Sequence, residues 1–140
     1  MLIIEKLKKP EKTKKLKKPP SYAKLKKGLD AAFSKWIRLR DSYICFTCGK
    51  RGDQASMQNG HYVSRVYLAT RWDESNCHCQ CVACNVFKHG NMTAYAARMI
   101  SKYGSRKLFD LERQKHISTR HPRSWFLERI EYYKALVTGK

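Results

Sequence analysis

At 140 residues the chain can make one domain with a tail, and a core of that size is small enough that a structural metal would help hold it. Thirty Lys and Arg against eleven Asp and Glu give +19; the first 27 residues carry +9 and the rest +10, which points to a polyanion such as nucleic acid and argues against a purely addressing tail. Met1-Leu2-Ile3-Ile4 runs at once into charge, so neither a signal peptide nor a membrane partner is expected, and the protein should be cytoplasmic.

The elements follow in chain order. Residues 1–20 are rich in Lys and Pro with few apolar anchors, and they read as a flexible basic arm ahead of a domain over 21–140. Ser21 is a fair N-cap, and Leu25, Leu29, Phe33 and Trp36/Ile37 recur at helical spacing until Asp41-Ser42. Arg51-Gly52-Asp53 reads as a turn, and Met57 to Ser64 as a short strand around His61. Residues 65–75 look irregular. Asn76 then opens Cys77-His78-Cys79-Gln80-Cys81, in which odd positions share one face and His78 and Gln80 the other. Asn85 should start a helix that closes near Gly90. A further helix runs from Met92 to Tyr103, with Tyr95, Met99 and Tyr103 on one face and Gly104 as its stop. Two more helical patterns cover 105–115 and 123–137; the stripe Phe126, Ile130, Tyr133, Val137 is most simply core, with a homodimer seam as the alternative.

Two Cys-x-x-Cys knuckles, Cys45/Cys48 and Cys81/Cys84, suit one tetrahedral zinc in a reducing compartment. Cys77 and Cys79 read as small buried strand residues; the rival is a zinc set drawn from the Cys-His-Cys-Gln-Cys run. Between the pins lie Asn59-Gly60-His61-Tyr62 and Asn76, which zinc does not need and a metal-dependent nuclease does. Phosphodiester hydrolysis requires an activated water, a cation to offset charge on the phosphate, and a rigid frame. A histidine, with an unperturbed pKa near 6.5, suits the first task.

Cys45-Phe46-Thr47-Cys48-Gly49, Gly60-His61-Tyr62, the run Arg71 to Cys81, Cys84-Asn85 and Lys88 with Gly90-Asn91 together resemble the Rap/NinG family of phage recombination nucleases, over roughly residues 20–115. The Cys-x-x-Cys-Asn ending is also similar to the phage junction-resolving endonuclease VII group. The resemblance implies an α+β protein with a zinc-stapled ββα-metal (HNH-like) core flanked by helices. It further implies cleavage of branched DNA, such as Holliday junctions, in the cytoplasm of a phage-infected or prophage-carrying host. His61 becomes the general base, its second ring nitrogen donating to a backbone carbonyl. Asn76 bridges backbone groups across the loop, and Asn85 holds the catalytic Mg²⁺ or Mn²⁺.

One position departs from that pattern. The usual motif has Asp before the histidine, and here it is Gly60. Glu74, ahead of Asp73 or His78, is therefore expected to reach the ion, and a carboxylate-poor site would favour Mn²⁺. His78 is divided between lining the active site and an ordinary surface position. Lys88, Arg65, Arg71 and the arm residues Lys14, Lys15, Lys17 and Lys18 are the expected DNA contacts. The alternative function is a non-catalytic zinc-ribbon module that binds nucleic acid through charge; it needs neither His61, Asn76 nor Asn85.

Overall fold

A computed structural model describes residues 13–140; the part of the expected arm over 1–12 lies outside the described residues. Residues 13–20 form no helix or strand. Ser21 then caps α1 (Tyr22–Arg40), its hydroxyl accepting the Lys24 N–H at 3.2 Å, as a short polar side chain does for an orphan first-turn donor. The α1 stripe Leu25, Leu29, Phe33 and Ile37 is buried. It packs against α5 (Arg123–Thr138), where Tyr133 meets Phe33 edge-on at 5.0 Å between centroids. The Phe126 and Tyr133 stripe is thus core, covered within the chain by α1.

β1 (Met57–His61) and β2 (Cys77–Cys81) pair antiparallel, with Gly60 opposite His78 and His61 opposite Cys77. β1 ends at His61, earlier than the alternation suggests, because the next residues turn into a loop stitched to Asn76: the Tyr62 N–H donates to the Asn76 carbonyl at 2.9 Å. Within the stretch expected to be irregular, α2 (Leu68–Arg71) makes one helical turn. All five β2 residues are buried, since helices cover both sides of the hairpin. Cys77 joins the core against α1, whereas His78 and Gln80 face α3 (Met92–Tyr103) and the first knuckle.

After β2 the chain enters a π-helical turn, Ala83–Phe87, so Asn85 sits inside that turn and does not begin a helix. Such turns recur at functional sites because the widened winding re-aims a side chain. Tyr95 and Met99 of α3 bury against Val63 and against Leu111 of α4 (Ser105–Gln114). Gly104, at φ +85°, ends α3 and donates its N–H to the Ile100 carbonyl. Among the described residues no helix is long and apolar enough to cross a membrane.

Candidate active site and metal centre

The metal centre is built by two tight turns. Cys45 donates its N–H to the Lys50 carbonyl and accepts that of Gly49, both at 2.8 Å, with Gly49 at φ +79°. This knuckle faces the end of β2, and the thiol sulfurs of Cys45, Cys48, Cys81 and Cys84 all lie within 4.8 Å of one another. Cys48 and Cys81 are 3.7 Å apart. Zn–S bonds of about 2.3 Å put tetrahedral sulfurs about 3.8 Å apart, so the set fits a structural metal such as zinc.

Donors already aim at the sulfurs. Gln80 Nε2–H occupies the Thr47 oxygen at 3.1 Å, leaving the Thr47 hydroxyl proton for Cys45 Sγ at 3.3 Å. The Cys84 N–H reaches Cys81 Sγ and the Asn91 amide reaches Cys84 Sγ, each at 3.5 Å. Burial raises the Cys45 thiol, but the Thr47 hydroxyl and the backbone N–H groups of Cys81, Cys48 and Thr47 outweigh it and bring it down to about 6. Cys77 and Cys79 stay outside the set as buried strand residues, Cys79 pushed up to about 12 by burial and by the Asp41 carboxylate.

His61 ends β1, and its Nε2 lies 2.8 Å from the Arg71 carbonyl. A carbonyl only accepts, so Nε2 carries the proton and Nδ1 keeps its lone pair. Burial lowers the proton affinity of His61 below the usual imidazole range; the Arg71 carbonyl opposes the shift, and the charge of Arg65 adds to it. The ring is therefore a neutral acceptor near pH 7. Asn76 closes the loop behind it: Oδ1 accepts the Val63 N–H at 2.7 Å, and Nδ2 donates to the Val63 and Thr70 carbonyls at 3.0 Å. Asn76 is fully buried with both ends of its amide engaged, so its role is to hold the loop.

Asn85 is oriented by Nδ2–H donation to Gln58 Oε1 at 2.8 Å, and its Oδ1 has no protein partner among the described residues. A cleft of about 440 Å³ brings Asn85 together with His61, Ser64, Arg65 and His89. A second, of about 340 Å³, lies against α1 between Asp30, Ser34 and Arg38, and shares Asn59, His61 and Arg65 with the first. His61 thus stands where the two meet, in a groove lined by arginines. Arg65 is well exposed, with its Nη2 3.4 Å from Asp30 Oδ2 in a looser pairing than that of Arg71. Lys88, which caps the π turn, and Lys14, Lys15, Lys17 and Lys18 are exposed as well.

The family described as Bacteriophage Lambda NinG protein matches residues 3–139. The chain belongs to the NinG family. It is 33% identical over 111 residues to Protein ninG of Escherichia phage 933W, covering 78% of this chain and 52% of that one. Protein ninG of Escherichia phage lambda gives the same figures. That of Salmonella phage P22 is 34% identical over 88 residues, 61% of this chain and 43% of its own. The chain therefore spans about half the length of the curated relatives it matches. No solved structure matches.

Several expected residues stand elsewhere in this NinG chain. Glu74 does not reach Asn85. Arg40 grips the Glu74 carbonyl at 2.8 Å and the Cys77 carbonyl at 2.7 Å, turning residue 74 toward the α1–α5 side, where its carboxylate accepts the Tyr133 hydroxyl at 3.1 Å. Asp73 is spent on the N–H and hydroxyl of Ser75. His78 lines neither the cleft nor the surface: it is fully buried and stacks on Phe46 at 3.9 Å. Tyr95 donates to the Gly60 carbonyl at 2.8 Å, so it accepts from His78 Nδ1, and Nε2 accepts from Tyr103; both contacts are 2.9 Å. Burial, followed by the charge of Arg40, pushes His78 down to about 3.

Arg71 is no free DNA contact, because its guanidinium is forked onto Asp30. Sequence reasoning missed Asp30; its one signal was to be the sole acid in a lysine-rich helix. The glycine before His61 has a steric cause: a Cβ at residue 60 would come within 2.6 Å of Gln80 Cδ. Gln80 fills that space, and its amide ties Thr47 to the Gly90 carbonyl at 2.9 Å.

Proposed function

We propose that this chain is a divalent-metal-dependent DNA endonuclease of HNH type, acting on branched recombination intermediates such as Holliday junctions in the host cytoplasm. The observation that carries this reading is the 2.8 Å bond from His61 Nε2–H to the Arg71 carbonyl, which leaves Nδ1 an unprotonated acceptor in an arginine-lined groove with Asn85. A positioned base of this kind contributes about 10²- to 10⁴-fold. In the proposed step His61 Nδ1 takes a proton from water, the resulting hydroxide bonds to phosphorus, and the bond to the 3′-oxygen breaks, that oxygen taking a proton from solvent.

Asn85 is the residue that would hold Mg²⁺ or Mn²⁺, and the bound ion would offset negative charge on the phosphate and the leaving oxygen. With Glu74 turned away, the donor set is neutral and suits a cation only in company with phosphate oxygens. The four cysteines leave a zinc no open position, so that metal is structural. Arg65 in the groove, together with the exposed Lys88 and the arm lysines, would neutralise phosphates without reading sequence.

The test is incubation with a four-way junction and a matched linear duplex, each with Mg²⁺ or Mn²⁺. Cleavage concentrated at the junction branch is expected. A protein that binds both DNAs and cuts neither with any divalent cation would instead be a zinc-ribbon binding module.

A further inference from the structure

We infer that Asp30 is a positioning residue for His61, acting through the peptide unit that joins Arg71 to Trp72. The oxygen that receives His61 Nε2–H belongs to that peptide unit, and the side chains on both of its flanks are fastened to one carboxylate. Asp30 Oδ1 accepts Arg71 Nε–H at 3.0 Å and Trp72 Nε1–H at 2.9 Å, while Oδ2 accepts the Arg71 Nη2 group at 2.5 Å. Arg71 Nη1 donates to the Arg65 carbonyl at 3.1 Å, closing the loop on its other side. The Arg71 side chain is only 14% exposed and Trp72 is 9% exposed, so neither has room for a second arrangement.

α1 is itself bolted to the hairpin, through Arg38 to the Met57 carbonyl and Arg40 to the Cys77 carbonyl. A rigid path therefore runs from α1 through Asp30 to the Arg71 carbonyl and on to His61. In a Ser-His-Asp triad the carboxylate bonds the imidazole directly and fixes its tautomer. Here the carboxylate stands one peptide further back and fixes the acceptor. Among the described residues Asp30 is the one acid on the walls of the two clefts that meet at His61.

This inference rests on the nuclease reading only for its kinetic consequence; the placement of the proton on His61 does not. The experiment is a ¹⁵N–¹H correlation of the histidine rings in the zinc-loaded full chain, for the parent, Asp30→Asn and Arg71→Lys. The asparagine keeps the shape of the carboxylate but offers one acceptor oxygen, and the lysine keeps the charge but loses the two-pronged fork. The parent should show His61 protonated at Nε2 alone, and both variants a mixture of Nε2–H and Nδ1–H forms. Junction cleavage should fall about tenfold or more in both, of the order seen on losing a partner that orients a metal-bound histidine, and in Arg71→Lys, which keeps the Arg65–Asp30 pair, the junction Kd should be unchanged. If Asp30→Asn does not fold, Arg71→Lys decides the question alone. A single Nε2–H form in both variants, or a rate loss in Arg71→Lys matched by an equal loss of binding, overturns the inference. A parent that cuts no DNA would end the nuclease reading, while the tautomer comparison would still decide the role of Asp30.

Discussion

The zinc knuckles and the loop over residues 62–76 both join parts of the chain that lie far apart, by different physics. Cys45 and Cys48 meet Cys81 and Cys84 in a thiol set that could hold one dication, whereas the loop is closed by separate bonds from Asn76, Arg71 and Asp30. A structural zinc contributes on the order of 10–16 kcal/mol as a unit, all or nothing. A hydrogen bond contributes about 1 kcal/mol, and a loop held by several can lose one at a time. Folding should therefore depend on the first region and the aim of His61 on the second, and each can be broken without the other.

The largest effect should come from the metal. Cys81→Ser should lose zinc and with it the cooperative fold, whereas Cys79→Ala, which removes no ligand, should keep both; metal content and circular dichroism read this directly. A folded Cys81→Ser protein with full zinc would mean the ligand set is misdrawn. Asn76→Ala should keep its zinc yet cost about 3 kcal/mol in urea unfolding, since it strands the Val63 N–H and the Val63 and Thr70 carbonyls. Gly60→Ala should cost about 2 kcal/mol, because Gln80 must give up its bonds to Thr47 and Gly90 to make room. In Gly60→Ala/Gln80→Ala the clash is gone, so the double variant should cost less than the sum of the singles.

The smallest effect is one of pH. The His78 ring is pushed down to about 3 in the folded protein, while the unfolded chain takes up the proton near 6.5. The unfolded state thus binds more protons below that pH, so stability falls as pH falls, by about 0.7 kcal/mol between pH 7 and pH 6. His61, also lowered by burial, acts in the same direction. Urea midpoints at the two pH values measure the loss, which should shrink in His78→Gln.

The comparison also explains what could be read from the chain alone. α1 was legible from its Ser21 cap to Asp41 because capping and apolar spacing are local signals. The knuckles were legible because residue type and spacing nearly dictate them, whereas the bridging by Asn76 was implied only by the family resemblance. The partners of His78 and Glu74 were not legible. His78 bonds Tyr95 and Tyr103 on α3, and Glu74 bonds Tyr133 on α5, which depends on how helices dock on the hairpin. The π turn around Asn85 was missed because its winding leaves no mark in residue periodicity.

The central claim is that the loop delivers His61 as a neutral base, and the most direct measurement compares the parent with His61→Ala on a four-way junction, following binding and cleavage in parallel. The variant should bind the junction as tightly as the parent, keep its zinc, and cut at least about 10²-fold more slowly. A His61→Ala protein that cuts at the parental rate would contradict the claim.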